Sequence, residues 1–478
     1  MTIQQIFLFG TAAMIVRLWV NEKYKIPALA ILSIVAIYIL QPALPIRYLD
    51  FWLPTTALLL TILVWITIQP TGIQSLRKNL PGLLLSILVV VAFAGLRYIN
   101  WDRFLLPSSP PPISGIFFLL ILFASIGLLA NQIRNRSILL GAFLALIILV
   151  FVVIKTPFLA GFASSTFRAL NQQAVDLASP LDIRWLGFSY LAFRLLHTIR
   201  DRQSGKTIDV PFLNYLVYAL FFPAYTAGPI DRLERFSKDL HRPAGKWQTD
   251  FLDGGKRLAL GLVKKFVLAD SLALIAINQV NAVQVNQAGW LWVLLYAYSL
   301  QIYLDFSGYT DIAIGLGKLV GIHLPENFNQ PYLKPNLTMF WNNWHITLTQ
   351  WFRGYYFNPL ARWLRSRSVP VQQYVVILIG QISTMVLIGM WHGVTLNFLV
   401  WGLWHGIGLF IQNRWSEWVR GSLMQRMPSG LREGYGNTLF YVLGIFVTFH
   451  YVSLGWLWFA ISDPGISMTA LRRLFGGG

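Results

Sequence analysis

Apolar runs of about 20 residues recur along this chain, and they limit its fold more strictly than any other feature. The run 137–154 carries no charged side chain, and about 20 such residues are what a helix needs to cross the hydrocarbon of a bilayer. Comparable runs lie near 4–20, 28–46, 52–68, 82–99 and 113–130. Inside lipid each backbone N–H and C=O has to be satisfied by protein, so such runs fold as helices. Composition agrees, with 56% hydrophobic and 12% charged residues. The expected fold is an all-α polytopic membrane protein of about 11–13 membrane segments, some short or re-entrant, placed in the cell (inner or plasma) membrane.

Charge and cysteine content exclude several classes. The 38 Lys and Arg against 19 Asp and Glu leave a net charge of +19. Such an excess suits cytoplasmic loops, anionic lipid headgroups or a donor bearing phosphates. Nucleic acid is not expected as a partner, because no basic segment stands apart from the apolar runs. Lys23 with Lys25, Arg77 with Lys78, and Arg134 with Arg136 mark alternate links as cytoplasmic, whereas Arg97 and Arg103 lie in an opposing loop. The chain has no cysteine. That removes disulfides, thiolate metal sites and any thioester held on the enzyme itself. Met1 to Val20 has neither a basic leader nor a small-residue cleavage site, and is expected to stay as a first helix.

The chemistry concentrates in the later part. Tyr190, Arg194 and His197 fall on one helical stripe, facing either protein or, by snorkelling, the interface. The stretch from Phe221 to Arg232 holds Pro223, Gly228 and Pro229, which forbid a straight helix. The basic segment after it is most simply kept cytoplasmic if residues 211–230 dip in and return. Irregular backbone at that depth is tolerated only where protein or a cavity surrounds it. Two further apolar segments are expected at about 258–283 and 288–316. Asp305 in the second needs a partner that the sequence does not identify. A basic loop with Arg414, Arg420, Arg426 and Arg432 precedes a last span near 436–461.

Met390-Trp391-His392-Gly393, running on through Asn397 and Trp401 to His405-Gly406, places ionisable groups in an apolar run. A charged side chain at bilayer depth costs roughly 2.5–3.5 kcal/mol on insertion scales, so a hydrogen-bond partner or a wet cavity must offset it. Histidine titrates near neutral pH and is the usual general base. His345, in Trp341-Asn342-Asn343-Trp344-His345, has a similar setting. Metal binding is not expected. His392 and His405 would lie about 220° apart on one helix, and no His-x-x-x-His or His-Glu pair is present. Nucleophile-elbow, P-loop and dinucleotide motifs are missing too.

Taken in order, Pro325-Glu326-Asn327-Phe328-Asn329-Gln330-Pro331-Tyr332, Phe340-Trp341-x-x-Trp344-His345-Ile346-Thr347-Leu348, Trp351-x-Arg353-x-Tyr355 and Trp391-His392-Gly393-x-x-x-Asn397-Phe398-x-x-Trp401-Gly402-x-x-His405-Gly406 resemble the membrane-bound O-acyltransferase (MBOAT) family. Phe222-Pro223, Ala227-Gly228-Pro229-Ile230-Asp231-Arg232 and Gly187-Phe188-Ser189-Tyr190 also match. The resemblance covers about residues 185–460. It is similar to the bacterial branch that modifies cell-surface polymers, which includes the D-alanyl transfer protein of teichoic acid and alginate O-acetyltransferases. Two positions depart from the pattern. Gly354 stands where an acidic residue is usual, and Ala361-Arg362 where a small pair is usual.

The resemblance implies acyl transfer (acetyl or D-alanyl) from a cytoplasmic thioester donor, acyl-CoA or an acyl-carrier protein, to a hydroxyl of an extracytoplasmic polysaccharide, polymer or glycolipid. No bound cofactor is implied. Membrane lipids and a periplasmic transferase are the further partners. His392 aligns with the family's active-site histidine and would be the base, with His345 orienting the acceptor or stabilising an oxyanion. Asn397, Trp391, Asn343, Trp344 and Asp305 are the substrate-binding candidates. Asn397 lies about 140° from His392 on an ideal helix, so the two share a cavity only if the helix breaks near Gly393. The expected organisation is a structural helical region over 1–180, an MBOAT-like core enclosing a cavity over 181–461, and a tail over 462–478. A transporter or flippase of a polar or lipid-linked substrate is the alternative, since broken helices with polar residues fit that as well.

Overall fold

The computed structural model describes residues 1–70, 73–101, 106–133, 136–242, 245–367, 371–419 and 435–477. Arg103, Arg134, Arg420, Arg426 and Arg432 lie outside the described residues. Regular structure among the described residues is helical, with no strand. Six helices there are long and apolar enough to cross a membrane: Glu22–Leu40, Leu49–Ile68, Leu76–Ile99, Arg136–Lys155, Gln373–His392 and Thr438–Ala460. Ile3–Trp19, Ile113–Leu129 and Phe212–Ala224 are shorter apolar helices. The chain forms two compact units, Met1–Ala259 with Asp311–Pro325, and Leu260–Thr310 with Glu326–Gly478. The expected core over 181–461 contributes segments to both.

In the first unit the early helices are Ile3–Trp19, Glu22–Leu40, Leu49–Ile68, Ile73–Gly95, Ile113–Gln132 and Arg136–Lys155. The second starts and stops about six residues before the expected 28–46, because Asn21 caps it by accepting from the Lys23 N–H and it takes in Pro27. Leu49–Ile68 is the enclosed helix of this group, with 83% of its apolar window buried against 17% for Arg136–Lys155. Its threonines cost little there. Thr55 and Thr61 donate back to the carbonyls of Phe51 and Ala57, both at 2.8 Å, so neither of these hydroxyls is left unpaired in an apolar setting.

The helix Pro157–Leu170 is followed by a 3-10 turn, Pro180–Asp182. Asp182 accepts from Arg168 Nε at 2.9 Å and from Ser164 Oγ at 2.7 Å, which ties helix to turn. In the helix Phe188–Gln203, Tyr190, Arg194 and His197 are all buried. The stripe therefore faces protein. Arg194 is 1% exposed and donates to the carbonyls of Ala219 at 3.0 Å and Ala224 at 2.8 Å.

Those carbonyls explain why an arginine is buried. The helix Phe212–Leu220 has nine residues and rises only about 14 Å, under half of a hydrocarbon core of about 30 Å. A 3-10 turn, Phe222–Ala224, and a cis Gly228–Pro229 bond follow. That helix is too short to cross by itself, and Arg194 supplies donors to the irregular backbone that follows it.

The second unit holds residues 288–310 of the 32-residue helix Ala288–Leu319. The expected span 258–283 is not one element. The helix Trp247–Leu262 passes into a π-helix, Val263–Ala269, and a last turn, Asp270–Ala273. Asn278 then caps a new short helix, Gln279–Gln284. After a loop come the short helices Leu337–Asn343, Ile346–Phe352 and Asn358–Arg365. The hairpin Gln373–His392 and Leu396–Trp418 follows, then Tyr435–Ala460 and Pro464–Leu474. Glycine lets the hairpin close. A Cβ at Gly402 would meet the Cα of Val386 at 2.6 Å, and one at Gly406 would meet the Cα of Ile382 at 2.7 Å. Gly402-x-x-x-Gly406 is the small-residue spacing by which membrane helices bring their backbones together.

Candidate active site

All the residues of this site belong to the second unit. His392 is the last residue of the helix Gln373–His392. Gly393 is extended, with φ −179°. Thr395 caps the next helix, its hydroxyl accepting from the Phe398 N–H at 3.4 Å. The break expected near Gly393 is present, and it leaves the imidazole of His392 at a helix end. The residue is half-buried, its ring among aromatic neighbours. The centroid distances are 4.4 Å to Trp391, 4.7 Å to Phe459, 5.7 Å to Phe398 and 5.8 Å to Trp401. Such a setting restrains the ring through aromatic packing.

His345 is 3% exposed and sits at the junction of Leu337–Asn343 and Ile346–Phe352. Its φ is +43°, a left-handed conformation that a non-glycine residue rarely takes and that clusters at functional positions. Phe306 packs edge-on to its ring at 4.7 Å, and Trp391 lies 6.1 Å away. Both histidines therefore touch the Trp391 indole.

The residue that fixes His345 is Asn327, which is fully buried. Its Oδ1 lies 3.2 Å from His345 Nδ1, 3.1 Å from the Thr347 N–H and 2.9 Å from Thr347 Oγ1. Its backbone carbonyl accepts from the Ile346 N–H at 2.9 Å. The sequence gives Asn327 only as one letter of a turn-rich motif. The available signal is an asparagine between apolar-flanked turn residues, a pattern usually solvated on a surface.

The substrate-binding candidates separate. Trp391 lies between the two histidines. Trp344 is buried in an aromatic stack with Phe340 at 5.5 Å and Trp456 at 5.1 Å, which makes it a core residue. Asn343 donates to the Met339 carbonyl at 2.8 Å, and its own carbonyl accepts from the Asn329 N–H at 3.0 Å. Asn397 is 2% exposed. It donates to the Ile461 carbonyl and to Ser467 Oγ, the latter at 3.1 Å, so it fastens the hairpin to the helix Pro464–Leu474. Asp305 forms an ion pair with Lys265 of the π-helix, the partner that the sequence leaves unassigned. His405 is wholly buried, edge-on to Trp401 at 4.9 Å and Trp341 at 5.0 Å. Among the described residues no group of three or more His, Cys, Asp or Glu is arranged to hold a metal.

A cleft of about 170 Å³ lies beside the hairpin, lined by Trp341, Asn342, Arg353, Gln381, Met385 and Ile388 among others. Gln381, Met385, Ile388 and His392 recur at i, i+4, i+7 and i+11, one face of one helix. The cleft wall is therefore the stripe that ends in His392. Arg353 closes toward Asn342, donating to its Oδ1 at 2.6 Å.

Comparison with known proteins gives the same direction. The model of MBOAT, the membrane-bound O-acyltransferase family, matches residues 113–455. The teichoic acid D-alanyltransferase of Bacillus subtilis is 32% identical over 281 residues, 58% of this chain and 69% of that protein. The "Probable alginate O-acetylase AlgI" of Pseudomonas aeruginosa is 32% identical over 298 residues, 61% of this chain and 52% of that one. The peptidoglycan O-acetyltransferase of Helicobacter pylori is 32% identical over 273 residues, 55% of this chain and 47% of that one.

Proposed function

From the premise that this chain belongs to the membrane-bound O-acyltransferase family and is a multi-pass acyltransferase, we propose that it moves an acetyl or D-alanyl group from a cytoplasmic thioester to a hydroxyl of an extracytoplasmic envelope polymer. The observation that carries this reading is His392 at the broken end of its helix, half-buried, with its ring in an aromatic frame. A hydroxyl attacks a thioester carbonyl slowly unless a base takes its proton, and a positioned base contributes roughly 10²–10⁴-fold.

In the reaction we propose, His392 accepts the hydroxyl proton as the oxygen–carbon bond forms. The carbon–sulfur bond then breaks, and the leaving thiolate takes that proton. Transfer in this reading is direct: the chain has no cysteine to hold an acyl thioester, which leaves a serine or threonine ester as the alternative. The donor's thioester arm would approach along the helix that ends in His392, one face of which, Gln381 to Ile388, lines the cleft. The donor is acyl-CoA or an acyl-carrier protein, and a periplasmic transferase is the partner that would pass the group on. The acyl group and acceptor follow the envelope chemistry named for the relatives, which covers both D-alanyl and acetyl transfer.

The test is complementation of a deletion strain with wild type, His392→Ala or His345→Ala, each matched for membrane level. Acetate and alanine released by base from purified envelope polymers are then measured separately. Wild type restores one acid and His392→Ala restores less than roughly a hundredth of it. Full restoration by His392→Ala removes His392 as the base and leaves the transporter alternative standing. An acyl-enzyme trapped by mass spectrometry removes direct transfer.

A further inference from the structure

Toward the start of the helix Gln373–His392, at the end away from His392, two arginines line an open hollow of about 420 Å³. The short helix Asn358–Arg365 builds one wall. Its Ala361 and Leu364 are buried with Val376, which seats it on Gln373–His392. Arg362 and Arg365 lie three residues apart, as neighbours on a helix surface, and both are exposed. Neither guanidinium has a hydrogen-bond or ion-pair partner among the described residues. Arg367, by contrast, stacks on Trp363 at 3.8 Å. Among the described residues no acidic side chain lines the hollow to offset the two charges. Gly354 and Arg362, positions at which the sequence departs from the family pattern, both line it. Each departure makes the hollow more positive, one by removing a carboxylate and the other by adding a guanidinium.

Phe357 joins this hollow to the cleft along the same helix, since it lines both. It lies against the helix at Gly380, where an added Cβ would meet its ring at 2.6 Å. His392 comes 12 residues after Gly380, a rise of about 18 Å. A phosphopantetheine arm has about 13 bonds from phosphorus to sulfur and spans roughly 15 Å at the spacing of an extended chain. The two lengths agree to within the reach of an arginine side chain. We propose that Arg362 and Arg365 form a phosphate site at the mouth of the cleft, which holds the donor by the phosphate of its phosphopantetheine arm while the thioester lies at His392. The proposal rests on the acyl-transfer reading and adds to it the residues that select the donor. A guanidinium fork meets two phosphate oxygens at once. Acyl-CoA and an acyl-carrier protein both carry this phosphate, so the site recognises what the two donors share.

Kinetics in washed, inverted membrane vesicles test this, with acetyl or D-alanyl thioesters of pantetheine, 4′-phosphopantetheine and CoA as donors. In wild type, KM for the pantetheine thioester exceeds that for the phosphopantetheine thioester roughly tenfold or more, the scale of a hydrogen bond to a charged group. In Arg362→Gln combined with Arg365→Gln that ratio falls to about 1. A ratio taken within one protein does not depend on how much of it folds. If the double variant does not accumulate, each single variant takes its place, with a ratio between those limits. Equal KM values in wild type overturn the proposal, and so does a ratio that the substitutions leave unchanged. The CoA thioester separates the sources. A rise in its KM equal to that for phosphopantetheine assigns the site to the arm's own phosphate, and a larger rise adds the nucleotide phosphates. Both support the proposal, whereas no rise overturns it. The readout without turnover is binding of desulfo-CoA, which cannot be acylated, to purified full-length protein in uncharged detergent. Wild type binds it, and the double variant binds it roughly tenfold more weakly or worse. Arginines that serve lipid headgroups instead make no difference to that binding, which overturns the proposal. Arginine-dependent binding in a protein without acyl transfer sinks the acyl-transfer reading and leaves the phosphate site standing. Transfer with no phosphate preference does the reverse.

Discussion

Two polar arrangements in the second unit show what single residues contribute. Asp305 of the helix Ala288–Leu319 and Lys265 of the π-helix form a charge pair, with side chains 46% and 22% exposed. A carboxylate in such a helix faces protein or water rather than lipid, and the pair keeps either charge from standing alone. Replacing one member leaves the other charge alone on a membrane helix, where insertion scales put the cost of a charge at roughly 2.5–3.5 kcal/mol. Asp305→Asn and Lys265→Met are each expected to lower the amount of folded protein in the membrane, and the double variant to recover it. Detergent-extracted yield by fluorescence size-exclusion chromatography checks this, and a double variant no better than the singles would refute it. Asn327 and His345 are the second arrangement. There the value lies in direction rather than charge, since one buried amide oxygen lies within hydrogen-bond reach of His345 Nδ1 and of both Thr347 donors.

Among the elements, the hairpin Gln373–His392 and Leu396–Trp418 positions the chemistry. His392 points where it does because its helix stops there, and the helix stops because Gly393 is extended and Thr395 begins a new cap. The two helices then run back against each other at backbone distance, through Gly402 and Gly406. An added methyl at Gly402 has no flexible neighbour to displace, only Val386 Cα at 2.6 Å and the Met385 carbonyl at 2.7 Å. Gly402→Ala is expected to destabilise by about 1–3 kcal/mol, the usual scale of overpacking, and to lower activity in proportion to lost protein. Gly141→Ala is the control, because nothing lies within 4 Å of a Cβ there. Thermal unfolding of the purified variants separates the two, and equal stability of Gly402→Ala and Gly141→Ala would contradict the packing argument.

For the whole molecule the issue is sidedness. A multi-pass acyltransferase with its donor on one face and its acceptor on the other needs an access route from each. In sealed membrane vesicles, a membrane-impermeant thioester is expected to support acyl transfer only in inside-out preparations, where the cytoplasmic face is outward. Equal rates in right-side-out vesicles, with intact seals, would reverse the proposed orientation of the donor.

Much of this was legible in the residues. Apolar runs near 20 residues, paired with the need to satisfy every backbone group in lipid, determine an all-α membrane fold. The breakers at Pro223, Gly228 and Pro229 mark the segment where regular helix ends. The motif histidines point to the site, and the break at Gly393 follows from glycine and a threonine cap. Tertiary structure decided the rest, because hydrogen bonds between residues far apart in sequence leave no periodic trace. The Asp305 partner lies 40 residues upstream in a π-helix, and no spacing rule reaches that far. Asn397 has the look of a site residue, and its amide nitrogen also donates to Ile461 and Ser467. Asn327 has the look of a turn residue, yet its burial against His345 and Thr347 makes it the group that orients an imidazole. Polar side chains in an apolar fold announce that partners must exist, and only the packed chain selects them.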